Sequence, residues 1–306
     1  MARFVIRRLV ALVPVALGAS FAAFLLIHLI PGDPAEVIAG VGASGADVER
    51  VRDQLGLHRP VLVQYAQWLG RATTGDLGLS LVSRQPVLGQ VAARFANTLQ
   101  LALAGMAVAL GIGLVTGIAS ALHRGTVWDY GFSLLAILGV SVPTFWLGLL
   151  LMLWFALQLG WLPATGMDGA AAFVLPALTL GLNAAALVAR ITRSSVLDVL
   201  GQDFVRTAHA KGASPRRVLW VHVLRNGAIP IMTVLALQFG YLLGGAVLTE
   251  TVFVWPGLGR LLTDAILQRD FPVIQGGILI VALAMVLLNL VTDVLYAVVD
   301  PRIRYE

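Results

Sequence analysis

The sequence predicts an all-α integral membrane protein with six transmembrane helices and an extracytoplasmic segment between the first two. Three observations carry that reading. Of 306 residues, 58% are hydrophobic and only 12% charged, with a mean hydropathy of +0.88, whereas ordinary soluble chains carry about 25% charged residues. The apolar residues fall into six runs of spanning length. The basic residues gather at alternate connections between those runs, as the preference for positive charge on the cytoplasmic side requires.

Arg3, Arg7 and Arg8 precede an uncharged run from Leu9 to Ile30. At about 1.5 Å per residue such a helix is roughly 33 Å long, enough for a bilayer core of about 30 Å. A signal peptide is the alternative, but its apolar region is only about 7–15 residues. A retained helix in region 1–30 is therefore expected, with the N-terminus in the cytoplasm. Pro31-Gly32-Asp33-Pro34 ends it, and a polar region, 31–96, follows. Amphipathic stretches at Asp47–Leu55 and Val61–Leu69 suggest a small extracytoplasmic subdomain too poor in core residues to fold alone.

A membrane core over 97–299 should hold five more spans, near Leu99–Leu122, Ser133–Leu157, Phe173–Ile191, Ile229–Val254 and Gly276–Val298. Asn97 is placed to cap the first of these, and Pro143 to kink the next. A short tail, 300–306, then returns to the cytoplasm. Thirteen of the 21 basic residues lie on the proposed cytoplasmic side: Arg3, Arg7, Arg8, Arg124, Arg190, Arg193, Arg206, Lys211, Arg216, Arg217, Arg225, Arg302 and Arg304. The short outer loops hold only Arg260 and Arg269. The pI near 10.2 thus reports topology, and no nucleic-acid partner is expected.

Ionisable groups deep in a membrane are costly and mark function. Here Glu250, Asp293, Arg190 and His28 all lie near span ends, where solvation or pairing accounts for them. That disfavours an ion-coupled secondary carrier. Gly113 and Gly117 form a GxxxG pair, as do Gly240 and Gly244, and such pairs let helix backbones approach. Asn183, Thr233, Gln238 and Asn289 are polar residues inside spans, able to line a wet pathway or to tie helices together. Without cysteines there is no disulfide or thiolate metal site. No HExxH or GxSxG occurs, and the only lysine, Lys211, precedes a glycine in a helical context. A P-loop needs Gly-Lys-Ser/Thr, so this chain does not hydrolyse ATP by that motif. It is expected to be non-catalytic, with no cofactor or metal.

The largest basic interruption of the second half runs from Asp203 to Pro230, within a loop over 198–229. It reads as two short helices. The first, Gly201 to Lys211, stops at Gly212. The second opens with Ser214 as N-cap and Pro215 at the first helical position, and runs to Arg225 before Asn226-Gly227. Three readings stand for this hairpin: a topology signal, a contact with anionic membrane lipid, or a helix docked in the groove of a partner. Apolar Val218, Leu219, Trp220, Val223 and Leu224 beside Arg216, Arg217 and Arg225 favour the third.

The hairpin resembles the EAA loop of permease subunits in ATP-binding-cassette importers. Thr207-Ala208 and Gly212 take the places of that motif's second alanine position, third alanine and glycine. Arg206 stands for its opening glutamate, and His222-Val223-Leu224-Arg225 for its later Ile-x-Leu-Pro. The form RTAHAKGAS followed by HVLRNGAIP is similar to the dipeptide, oligopeptide and nickel branch, and the resemblance covers almost the whole chain. It includes Pro31-Gly32-Asp33-Pro34, Gly75-Asp76-Leu77-Gly78-Leu79-Ser80, Gly160-Trp161-Leu162-Pro163 and Gln238-Phe239-Gly240 leading to Glu250. Trp255-Pro256-Gly257-Leu258-Gly259-Arg260 and Asp300-Pro301-Arg302 complete it.

That resemblance implies a type I importer permease in a bacterial inner membrane, one half of a heterodimeric pore. The implied partners are a second permease, two ATPase subunits carrying ATP and Mg, and a periplasmic binding protein. The implied coupling residues are Arg206, Thr207, Ala208, Lys211, Gly212, Ala213, Ser214, Pro215, Arg216 and Arg217. Glu250, Trp255, Pro256, Gly257, Leu258 and Gly259 would form a periplasmic loop or gate. Length and outer segment look most like the glutathione-import and dipeptide-import permeases. The alternatives are nickel or another metal chelate, an ion-coupled carrier, and a structural subunit of the membrane.

Overall fold

A computed structural model describes residues 2–29, 34–39 and 42–299. Ile30, Pro31-Gly32-Asp33 and the tail with Asp300-Pro301-Arg302 lie outside the described residues, as do the side chains of Arg3 and His28. Among the described residues all regular structure is helical; an isolated antiparallel bridge joins Leu79 and Pro86. In order these helices are α1 (Ala2–Leu29), α2 (Pro34–Ala39), α3 (Gly45–Leu55), α4 (Val61–Thr73), α5 (Val87–Leu122), α6 (Val127–Ser141) and α7 (Thr144–Leu151). They continue with α8 (Val174–Leu200), α9 (Asp203–Ala210), α10 (Pro215–Arg217), α11 (Leu224–Asn226), α12 (Ala228–Val252), α13 (Leu258–Leu267) and α14 (Phe271–Val299). π-helical turns at Met152–Gln158 and Val218–Val223 extend α7 and α10, and a 3₁₀ turn at Ala170–Phe173 leads into α8.

Among the described residues four helical stretches are long and apolar enough to cross a membrane: Val87–Leu122, Ala171–Leu200, Ala228–Val252 and Phe271–Val294. Val127–Ser141 and Thr144–Gln158 make a fifth if taken as one broken span. In α1 the apolar part among the described residues is Val10–Leu25, shorter than the others, and Pro14 lies inside that helix. The break in the fifth is far sharper than a proline kink, at 104°. Its cause is local. The ring of Pro143 disfavours helical geometry in the residue before it, and Val142 takes the extended conformation at φ −80°, ψ 124°.

Asn97 is not a cap. It lies well inside α5, which starts at Val87, because the apolar pattern of 87–96 continues the same helix into the polar segment. The contacts within the chain form two compact units: Thr98–Pro256 with the end of the chain from Leu288, and Ala2–Asn97 with Gly257–Leu287. The helix at Leu258–Leu267 was not foreseen; it lies in a stretch read as loop.

In the second of these units the 34–96 segment does not rely on its own apolar residues alone. Trp68, Leu77, Val87 and Val91 are buried with Leu258, Ala265, Val273, Ile274 and Leu279, and Phe24 of α1 joins them. The Gly-Asp-Leu-Gly-Leu-Ser motif has a physical reason there. Gly75 and Gly78 both hold φ near +84°, as their values of 85° and 83° show, a region glycine enters without a Cβ clash. Between them Asp76 accepts the Gly78 N–H at 2.9 Å, and Leu77 enters the core. Buried Asp270 then accepts the Ser80 hydroxyl and the Leu81 N–H, which fixes the following turn. At the start of α3, Ser44 and Asp47 form a reciprocal capping box, and the Ser44 hydroxyl holds the Asp47 carboxyl below its ordinary pKa.

In the other unit α8 is the central helix, packed against α12, α6 and α7. Its contact with α5 is made backbone to backbone. A Cβ at Gly113 would lie 2.8 Å from Val188 and 2.9 Å from the Ala185 carbonyl oxygen; at Gly117 it would lie 2.6 Å from the Ala189 oxygen. The same crossing continues at Gly181, whose Cβ would meet Gly105 O at 2.6 Å. In lipid, apolar side chains gain nothing by leaving the solvent, so close packing of small residues carries helix association. The GxxxG pair of α5 therefore packs a helix pair within this chain.

Candidate functional site

The hairpin after α8 is built as a surface. Val205 and Ala208 on α9, one turn apart, are buried, as are Val218 and Val223 on the π-helical turn. They pack on Ala121 at the end of α5 and on Val196 and Val199 near the end of α8. Burying each such valine contributes about 1.5–3 kcal/mol. The opposite face is solvent-exposed: Arg206, Thr207, Lys211, Gly212, Ser214, Pro215, Arg216 and Arg217, with Ala213 half-buried. Trp220 is 65% exposed and Val221 47%, so this face presents apolar surface as well as charge. An exposed pair between Arg206 and Asp203 at 3.6 Å adds little.

The turn between the two helices is a complete Schellman motif. Gly212 has φ +78°, its N–H donates to His209 O at 2.9 Å, and the Ala213 N–H reaches back to Ala208 O at 3.2 Å. Ala213 packs beside Ala208 in the same cluster, the apolar contact that accompanies this cap. Ser214 does occupy the N-cap position, with extended backbone, and Pro215 is at the first helical position. The expected capping bond is absent: the Ser214 side chain makes no cap hydrogen bond, and its carbonyl instead accepts the Val218 N–H at 3.0 Å. At the far end, Gly227 closes the hairpin where its Cβ position is 3.5 Å from Ser195 of α8.

Near the same helix ends lies a cluster that sequence reading missed. Asp129, in the first turn of α6 and 3% exposed, is held by four donors. Arg193 of α8 donates from Nε to Oδ1 at 2.7 Å and from Nη2 to Oδ2 at 2.9 Å, a bidentate pair. Ser120 of α5 donates its hydroxyl at 2.6 Å, and the Gly125 N–H donates at 3.0 Å. Three helices thus meet on one carboxylate. Arg193 had been counted as a topology charge, and a pairing across 64 positions leaves no mark in spacing. Asp129→Ala is expected to lower stability by about 2–3 kcal/mol, less than for a fully enclosed pair because the Arg193 side chain is 32% exposed. Thermal unfolding of Asp129→Ala, Arg193→Met and the double variant measures it. Strictly additive losses would show that the two side chains do not act as a pair.

The residues expected at an outer loop or gate are largely anchors. Glu250 is fully buried at 0% exposure and accepts the Thr98 hydroxyl of α5. Trp255, also 0% exposed, stands edge-on to Phe173 at 4.6 Å, and the Phe253 carbonyl accepts the Gly166 N–H at 3.1 Å. The α12 C-terminus is closed by the Trp255 N–H on Glu250 O at 2.8 Å, which requires Val254 between them at φ +53°. A β-branched residue in that region is strained, and buried Phe253 and Trp255 on either side hold it there. Pro256 is half-buried at the boundary of this unit. In the other unit Gly257 precedes α13 with extended backbone, Leu258 is part of the core, and Gly259 is buried.

The four polar residues read as pathway candidates differ in burial and bonding. Asn183 donates to Gly139 O at 3.1 Å and ties α8 to α6, while exposed Thr233 bonds its own helix at Ile229 O. Gln238 is half-buried on α12 and Asn289 exposed on α14. Among the described residues, Glu49, Asp53 and His58 are the group with metal-ligand chemistry; all three are exposed and His58 pairs with both acids at 2.9 and 3.4 Å.

Family models match the chain along nearly its whole length. Residues 113–305 match that of the binding-protein-dependent transport system inner membrane component, and residues 1–102 match the N-terminal model of such membrane components. The chain is 48% identical over 306 residues, covering 100% of both chains, to a glutathione transport system permease protein, GsiC, of Escherichia coli O6:H1. Identity is 47% at the same coverage to the GsiC of Escherichia coli strain K12. Among solved structures, the inward-facing MetNI methionine ABC transporter matches with a TM-score of 0.58 at 18% identity, over 70% of this chain and 97% of that one.

Proposed function

This chain belongs to the family of binding-protein-dependent transport system inner membrane components, and on that premise we propose that it is a permease subunit importing glutathione or short peptides. It is a multi-pass inner-membrane protein and a non-catalytic component of an ABC importer. The observation that carries the cargo is identity of 47–48% over the full length of glutathione permeases. Oligopeptides belong to the same chemical class; a nickel or other metal chelate is the second reading within the family.

The proposed assembly has a second permease completing the pore, two ATPase subunits supplying ATP and Mg, and a binding protein delivering cargo. The N- and C-termini are assigned to the cytoplasm, a reading supported by the basic residues on that side. The exposed face from Arg206 to Arg217 is the ATPase-docking surface. Its support is the packing of its buried face on the ends of α5 and α8, which lets a push on the hairpin move those helices as one body. Lys211, Arg216 and Arg217 face outward, available to acidic groups on a partner. Glu250 with Trp255, and Gly257 to Gly259, brace the connections that would border an outer gate.

The chain has no cysteine, so single cysteines report unambiguously. Lys211→Cys, in membranes containing all subunits, is expected to crosslink to an ATPase subunit. A cysteine introduced for Val82, exposed in the outer segment, is expected not to. Uptake of labelled glutathione should require ATP, and dipeptides should compete. Uptake that survives ATP depletion but collapses with an uncoupler would establish a carrier and sink the proposal.

A further inference from the structure

We propose that the cleft between α5, α6 and α8 holds one anionic diacyl phospholipid, with its phosphate at Arg190 and an acyl chain in the apolar end. Two adjoining cavities of about 330 and 340 Å³ make up this cleft, sharing Thr116, Phe132, Ala136 and Ala189. Each is of ligand-binding size. One end is lined by Ile112, Leu135, Leu138, Val142, Leu147 and Leu182, with no charged group. The other is lined by Ser120, Ser133, Ser194, Arg190 and Arg193.

The sequence of α8 makes this division. Leu182, Ala186, Ala189 and Arg193 follow helical spacing, so one face changes from apolar to cationic along its length. Alanines at 185, 186 and 189 leave the volume that larger side chains would fill. The two arginines are not equivalent. Arg193 is committed to Asp129. Arg190 is exposed, and among the described residues no acid pairs with it. The uncancelled charge therefore sits beside the hydroxyls of Ser133 and Ser194, a donor set suited to phosphate, while Ser120 gives its own to Asp129.

The occupant follows from where these helices run. α5 and α8 are of spanning length, and the α6 edge of the cleft exposes Leu134, Leu135, Ile137 and Leu138. A site with an apolar floor at membrane depth and a basic rim between spanning helices matches the amphipathic form of a lipid, and its charge selects an anionic headgroup. A soluble anion would use the rim and leave the floor unfilled.

The test is lipid retention by the full-length chain, purified with its partner subunits and read by native mass spectrometry. Phosphatidylglycerol should stay bound. Arg190→Gln should lower its retention about fivefold, the factor expected for one cation at an anionic headgroup, and Arg190→Lys should restore it. Ala136→Trp, which fills the shared section, should reduce phosphatidylglycerol and a phosphatidylcholine of equal chain length alike. Undiminished retention in both Arg190→Gln and Ala136→Trp would overturn the proposal. Displacement by glycerol phosphate would make the rim a small-anion site instead. A raised cargo KM in Arg190→Gln with lipid retention unchanged would assign the cleft to the transport path.

Discussion

Gly181→Val is expected to prevent recovery of a stable folded chain. A Cβ at this position would lie 2.5 Å from the Val108 Cβ and 2.6 Å from the Gly105 carbonyl oxygen. The second contact is with backbone, so no rotamer change relieves it. Either α5 and α8 separate or one of them bends. Overpacking typically costs about 1–3 kcal/mol and more where the structure cannot shift. Here a valine adds two further methyls at a crossing that is tight again at Gly113 and Gly117, so a loss of at least about 3 kcal/mol is expected. The internal control is Gly111→Ala on the same α5, where a Cβ meets nothing within 4 Å. It should leave the thermal midpoint within about 2 °C of the parent, or raise it, since alanine favours helix over glycine. Equal unfolding temperatures for Gly181→Val and Gly111→Ala would refute backbone contact between α5 and α8.

The consequence reaches the hairpin. Its buried face rests on Ala121 of α5 and on Val196 and Val199 of α8, so the spacing of those two helices sets the platform under it. Asp129 adds α6 to the same platform through Arg193 and Ser120. A load applied to the hairpin thus meets three helices held together by close glycine contacts and one bidentate ion pair. α6 then ends at the sharp break before Pro143, where the chain can change direction without disturbing either flanking helix.

What the sequence made legible was local. Gly212, Pro215 and Gly227 mark the hairpin because backbone conformation depends on the residue itself. The four long spans and the broken one were visible because a bilayer needs length and apolarity, and both are properties of a segment. Boundaries were less visible where a helix outruns the bilayer, as α5 does in starting ten residues before Asn97. Partnerships were not legible at all. Asp129 with Arg193, Glu250 with Thr98 and Asp270 with Ser80 each join residues far apart in sequence, and either member alone reads as a solvated group. Trp255 and Leu258 carry a motif expected at a periplasmic loop or gate, and their burial is not legible in it. The angle at Pro143 was also beyond reach, since proline disfavours a helical residue before it without specifying how far the chain turns there.

Gly212→Asp is expected to leave insertion and folding intact while abolishing transport. The structure separates the two effects. At φ +78° an L-residue ordinarily costs about 1–2 kcal/mol, but aspartate and asparagine are among the residues that enter this region most readily. A Cβ at 212 meets no heavy atom within 4 Å, so the chain itself offers no clash. Any larger effect must come from what docks against the exposed turn. A carboxylate there would lie among Lys211, Arg216 and Arg217, cancelling charge on the face proposed to meet the ATPases. The expected result is normal chain abundance in the membrane, a fall in glutathione uptake of at least about tenfold, equivalent to about 1.4 kcal/mol, and weaker Lys211→Cys crosslinking in the double variant. Gly212→Asn distinguishes shape from charge: it is the same size without the carboxylate. If both variants lose uptake, the partner surface needs the turn free of a side chain; if asparagine transports normally, the charge is what it rejects. Normal uptake by Gly212→Asp would mean that nothing presses on this turn during transport, and the hairpin would be left as a packed, basic topological element.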